Sequence, residues 1–149
     1  MKISIANDHR GIDLKKRVVS LLEQMGHTVE NHGTDDNDSV DYPDYASKVC
    51  RQVVAGEVER GILICGSGIG MNIAANKHPG VRSVRAQDEY DAEWCRRHND
   101  ANVLSLSADR IGSGSVDRIV EIWLTTEFEG GRHGRRVDKL GDIESRGTC

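Results

Sequence analysis

Cys65 closes the apolar run Gly61-Ile62-Leu63-Ile64-Cys65 and stands directly before Gly66-Ser67-Gly68-Ile69-Gly70. A thiol there, at the end of a buried strand and before a glycine turn that opens a helix, meets successive backbone N–H groups and the positive end of a helix dipole. Such a nest holds an anion, including an oxyanion that develops during a reaction, and it favours a thiolate that can act as a base. The same pattern also suits a small buried cysteine with no chemistry. A P-loop is excluded, because no Lys-Ser or Lys-Thr follows the glycines. A dinucleotide fingerprint fits poorly: the spacing is not GxGxxG and the turn follows the third strand, although Asp88 lies about twenty residues beyond Gly68.

Asp8-His9 ends the first apolar segment and offers a carboxylate and an imidazole to the same crevice, for hydroxyl, phosphate or proton contacts. Asp8 would serve equally as a helix N-cap beside a solvated histidine. His98-Asn99-Asp100 supplies a second proton carrier with an amide beside it. Cys95 and His98 have i, i+3 spacing, but no further ligand set accompanies them, so no metal site is expected. Arg132, Arg135 and Arg136 cluster in a chain of net charge −4, where guanidinium forks suit a phosphate or form a solvated basic surface. RNA binding is disfavoured, with Phe128 the only nearby aromatic to stack a base.

The elements that must position these groups alternate. Lys2–Ala6 reads as a strand and Ile12 to Met25 as an amphipathic helix; His27–Asn31, Gly61–Cys65, Val81–Val84 and Ala101–Leu106 read as further strands. Helices are expected from about Tyr42 to Gly56, Met71 to Lys77, Glu89 to Arg97 and Val116 to Thr125. Strand–helix alternation implies right-handed crossovers and an open parallel five-stranded sheet, a three-layer α/β/α Rossmann-like sandwich. Ligands then collect beyond the carboxyl ends of the strands.

At 149 residues, with 37% hydrophobic and 30% charged residues, one domain spanning 1–149 is expected, its basic segment 129–149 packing on the domain or on a partner subunit. The acidic balance argues against a nucleic-acid or anionic-membrane surface. No apolar run approaches a membrane span, and the opening Met1-Lys2-Ile3-Ser4-Ile5 reads as a strand rather than a signal peptide, so a cytoplasmic location is expected. Cys50, Cys65, Cys95 and Cys149 lack CxxC spacing and are expected as free thiols.

Six segments in register resemble the type B ribose-5-phosphate isomerases and the related galactose-6-phosphate and allose-6-phosphate isomerases. They are Asp8-His9-x-Gly11, Asp41-Tyr42-Pro43, Cys65 to Gly70, Ile73 to Lys77, His98 to Leu104, and Phe128 to His133. The resemblance implies a homodimer or homotetramer with active sites at the subunit interface, a sugar-phosphate substrate, and no metal or organic cofactor. On matching positions it implies Cys65 as the proton-transferring base with Ser67 as its hydrogen-bonding neighbour. The amides of Gly66, Ser67, Gly68, Ile69 and Gly70 would form the enediolate's oxyanion hole, and His98 would be the ring-opening acid. Asp8, His9, Tyr42, Asn99, Arg132 and Arg136 would be substrate contacts. One branch of the family carries a glutamate at the position of Met71 and lacks the cysteine; this chain falls in the cysteine branch.

Three departures stand out. Arg10 replaces a small residue. The segment after the fifth strand reads Ser107-Ala108-Asp109-Arg110, with an acid where the family has a phosphate-binding arginine, so Arg10 or Arg110 is the candidate to restore the charge. Arg85-Ala86-Gln87 is more polar than the apolar stretch expected there. The resemblance implies interconversion of ribose 5-phosphate and ribulose 5-phosphate; the alternatives are the same chemistry on a hexose 6-phosphate or tetrose 4-phosphate, and a non-catalytic sugar-phosphate or nucleotide-binding module.

Overall fold

The computed structural model describes residues 1–110 and 112–147. In chain order the elements are β1 (Lys2–Asn7), α1 (Ile12–Gln24), β2 (Thr28–Asn31), α2 (Tyr42–Ala55), β3 (Arg60–Cys65) and α3 (Ile69–Ala75). They continue as β4 (Ser83–Arg85), α4 (Glu89–Asn99), β5 (Val103–Ser107), α5 (Ser113–Thr125) and α6 (Arg132–Arg146). All strands pair in parallel in the order β2-β1-β3-β5-β4. The expected five-stranded α/β/α sandwich is the fold observed.

Alternation along the central strands sorts side chains to two faces. Ile62 and Ile64 of β3 join Ile3, Ile5, Leu104 and Leu106 in a core against α1, α4 and α5, where Trp123 is fully buried. Leu63 and Cys65 point the other way, into a second core with Ala46, Val49, Met71 and Ala75 of α2 and α3. Burial on both faces explains why β3 is a continuous apolar run. No helix among the described residues is long and apolar enough to cross a membrane.

Several boundaries differ from the sequence expectation. The helix after the glycine turn starts at Ile69, not Met71, because Gly68 alone takes the left-handed conformation (φ 73°) that ends the turn. The fourth strand is Ser83–Arg85, the fifth ends at Ser107, and α5 begins at Ser113. The basic tail is helical from Arg132 onward: Gly130 and Gly131, both at positive φ, turn the chain into α6, which packs on α4. Cys149 lies outside the described residues; Cys50, Cys65 and Cys95 are free and buried.

Candidate active site

From β1 the chain moves outward to β2 and then returns across β1 to β3, so the strand order reverses between β1 and β3 and leaves a crevice at their carboxyl ends. Asp8 directly follows β1 and Cys65 ends β3, the two strands that flank it. The Asp8 N–H donates to the Ile64 carbonyl (3.1 Å), and its buried carboxylate accepts from the Arg10 N–H (2.9 Å). Asp8 does not cap the following helix, whose N-cap is Gly11 with no side-chain bond. Asn7 fixes this loop by donating to the carbonyls of Asp8 (2.8 Å) and Thr34 (3.1 Å). His9 Nδ1 accepts from the Val40 N–H (3.3 Å), which ties it to the segment leading into α2.

Cys65 is 3% exposed, and its Sγ accepts the Gly68 N–H at 3.2 Å. The Ser67 hydroxyl accepts the Ile69 N–H at 3.2 Å, so the sulfur's hydrogen-bonding neighbour in this structure is the Gly68 amide and not Ser67. A Cβ on Gly68 would lie 3.0 Å from the Leu106 carbonyl carbon, and one on Gly70 would lie 2.7 Å from the Tyr42 ring. Tyr42 therefore closes over the turn from α2. Arg10 donates to Asp109 (2.8 Å) and the pair lies over Gly66. Of the two candidates to offset Asp109, Arg10 is the one that pairs with it; Arg110 is exposed in the turn after β5.

The remaining candidates sit elsewhere. His98 and Asn99 end α4 at the opposite end of the strands from Cys65, where β5 starts. Asp100, in the left-handed conformation (φ 47°) and held by Arg82 (3.0 Å) and Arg96 (2.8 Å), stops the helix there. His98 stacks on His133 with centroids 3.9 Å apart and an 8° interplanar angle, and Trp94, one turn earlier, meets its edge at 4.6 Å. Glu129 lies 3.8 Å from His98 and 3.7 Å from His133, and Arg132 Nε lies 3.3 Å from His133 Nε2. A cavity of about 260 Å³ is lined by His98, Asn99, His133 and Arg136, with Val137 and Leu140.

Sequence reading missed His133, Glu129 and Trp94 as members of this cluster. Trp94 was legible as the i−4 neighbour of His98 on one helix face; the His98–His133 stack was not, since it joins two helices. His98, Glu129 and His133 could each offer a ligand atom to a cation, within 4.8 Å of one another. Arg132 beside His133 and Arg97 at 3.7 Å from Glu129 put two guanidinium charges at the same place, a balance that suits an anion better. The Cys95–His98 pair is not a ligand set: Cys95 turns into the core, its thiol donates to the Ala92 carbonyl (3.4 Å), and burial pushes its pKa up to about 11.

The sequence model of the ribose/galactose isomerase family matches residues 3–140. The chain belongs to the ribose/galactose isomerase family. It is 44% identical to ribose-5-phosphate isomerase B of Escherichia coli over 97% of each chain. To the D-erythrulose-4-phosphate isomerase of Pectobacterium atrosepticum it is 39% identical, over 97% of this chain and 95% of that one. The solved ribose-5-phosphate isomerase B of Clostridium thermocellum superimposes with a TM-score of 0.96 at 47% identity, covering 98% of this chain and 99% of that one.

In this family member His133 carries a testable charge state. Burial lowers its pKa, and the neighbouring His98, Arg132 and Arg136 lower it further against Glu129. The unfolded imidazole titrates near about pH 6.5, so below that value the unfolded chain binds the proton first and stability falls as pH drops towards the lower folded value. The melting temperature of the wild type should therefore fall between about pH 7 and pH 5, and His133→Gln should lose part of that fall. Parallel curves for the two proteins would show that His133 is not the group responsible.

Proposed function

We propose that the chain is an aldose–ketose isomerase, acting by acid–base chemistry alone, that interconverts ribose 5-phosphate and ribulose 5-phosphate. The observation that carries this is the Cys65 sulfur held by the Gly68 amide at the switch-point crevice. In the reading, Cys65 removes the C2 proton of the open-chain aldose and returns it to C1, while the O2 proton passes to O1. Amides of the turn from Gly66 to Gly70 stabilise the enediolate between these steps. Asp8, His9 and Tyr42 hold substrate hydroxyls in the crevice. His98 opens the ring, Asn99 supports it, and Arg132 and Arg136 grip the phosphate at the N-terminal end of α6.

The Cys65 group and the His98 group lie at opposite ends of the strands of one sheet. Val103 and Ser107, the ends of β5, are about 13 Å apart at about 3.3 Å per residue. Cys65 is level with Ser107, and His98 lies beyond Val103. Proton transfer needs each group within about 3 Å of adjacent atoms of one sugar. The distance supports a site completed by a second copy of the chain: Cys65, Asp8, His9 and Tyr42 from one subunit, His98, Asn99, Arg132 and Arg136 from the other. Residues 1–149 form one isomerase domain in this reading, working in the cytoplasm as a homodimer or a dimer of dimers.

The test of the substrate is a panel of tetrose, pentose and hexose aldose phosphates assayed for isomerisation. Fastest turnover of a tetrose phosphate would move the assignment to the activity named for the Pectobacterium relative. Arg132→Ala and Arg136→Ala should each weaken ribose 5-phosphate by about 1.5 to 3 kcal/mol if the contact is desolvated. The loss should appear mainly in KM, because the phosphate is remote from the reacting carbons. An unchanged KM in both variants would remove the arginines from the phosphate site.

A further inference from the structure

Arg85 sits at the end of β4, in a segment whose polarity the family resemblance leaves unexplained. Its Nε donates to the carbonyl of Ser67 at 2.7 Å. That carbonyl shares a planar trans peptide with the Gly68 N–H, so the two point in opposite directions. The Gly68 N–H is the group that meets Cys65 Sγ at 3.2 Å. We propose that Arg85 is a positioning residue for Cys65: its guanidinium fixes and polarises the Ser67–Gly68 peptide so that the peptide's N–H is presented to the sulfur and favours its thiolate.

The turn needs such a hold. Glycines on both sides of Ser67 leave this peptide free to flip, and a flipped peptide would aim a carbonyl oxygen at the sulfur in place of a donor. The neighbouring peptides are clamped in the same way from β5. The Ser107 hydroxyl donates to the Gly66 carbonyl and the Ser105 hydroxyl to the Gly68 carbonyl, each at 2.7 Å. Alternation on β5 aims these two serines at the Cys65 face, with Ser107 level with Cys65. Three consecutive carbonyls are thus drawn away from the crevice, and only the central one is held by a charged donor, which polarises its peptide more strongly than a hydroxyl does. The other charged groups around the turn are Asp8 from the β1 end and the Arg10–Asp109 pair over Gly66, with the Tyr42 phenol over Gly70. Arg85 differs from Arg10 in having the turn's own backbone as its partner.

The inference rests on Cys65 being the base, but its test does not need turnover. Iodoacetamide alkylation of Cys65, followed by peptide mapping on the full chain, reads the thiolate directly; Cys50, pushed up to about 12 by burial, and Cys95 serve as slow internal references. Arg85→Met should alkylate about tenfold more slowly than wild type at about pH 7 and at nearly the wild-type rate at about pH 10, well above the ordinary thiol value of about 8.5. Arg85→Lys, which keeps a charged donor, should recover most of the loss. In isomerisation Arg85→Met should lower kcat with KM nearly unchanged. Equal alkylation of Arg85→Met and wild type at neutral pH would overturn the proposal. So would an equal slowing at both pH values, since that reports access to the sulfur and not its ionisation. If Arg85→Met melts below the assay temperature, Arg85→Gln, with a shorter uncharged donor, carries the same comparison. A Cys65→Ser protein that still isomerised would refute the catalytic reading while leaving the alkylation result standing.

Discussion

Cys65→Ser should lower kcat for isomerisation by about 100- to 10,000-fold, the range a positioned general base contributes. The hydroxyl is a much poorer base near neutral pH, yet its oxygen can still accept the Gly68 N–H that now meets the sulfur at 3.2 Å. The fold should survive, with KM close to wild type, because the groups assigned to substrate binding are untouched. Melting temperature and circular dichroism check the fold, and a coupled ketose assay checks the rate. Iodoacetamide should inactivate the wild type, with substrate protecting. A serine variant retaining most of the rate would dismiss Cys65 as the base and leave the crevice to Asp8 or His9.

The second large effect is restoration of activity by mixing two dead proteins. His98→Asn should be nearly inactive on ring-closed substrate, since the group proposed to open the ring is gone. If each site takes Cys65 from one subunit and His98 from the other, a mixed dimer of Cys65→Ser and His98→Asn chains carries one site with both residues intact and one with both replaced. Random reassortment after joint refolding should then return about a quarter of wild-type activity from two inactive parents, the statistical yield of a symmetric dimer with shared sites. Because the change removes the His98–His133 stack, the melting temperature of His98→Asn checks that the variant is folded before mixing. Absence of recovery in a mixture shown by mass spectrometry to contain mixed dimers would reject the two-copy site.

Which features were readable beforehand follows from how far their causes reach along the chain. Cys65 and its amide nest were legible because the partners lie within five residues, and a glycine turn between a strand and a helix fixes their directions locally. The sheet was legible for the same reason: period-two and period-3.6 patterns are local consequences of which face is buried. Lys15 shows the limit. It stands beside Lys16 and Arg17 in a charged part of α1, where local polarity suggests a solvated cation, yet it is 1% exposed, its ammonium donating to the Thr34 carbonyl (2.9 Å) and reaching Asp35 (2.5 Å). A pattern of polarity cannot reveal that a charge is buried because it has found partners about twenty residues away.

The sequence by itself therefore determined the parallel α/β architecture, the family, and the strand-end groups Asp8, Cys65 and the turn that follows, because each depends on neighbours in the chain. Only the tertiary structure decided that Arg10 answers Asp109 across ninety-nine positions, that Arg85 holds the Ser67 carbonyl, and that His98 stacks on His133. It alone separated the candidates into two groups at opposite ends of the strands. Those relations are set by crossover geometry and strand register, which bring distant side chains within hydrogen-bonding range or hold them a strand length apart, and no local propensity encodes them.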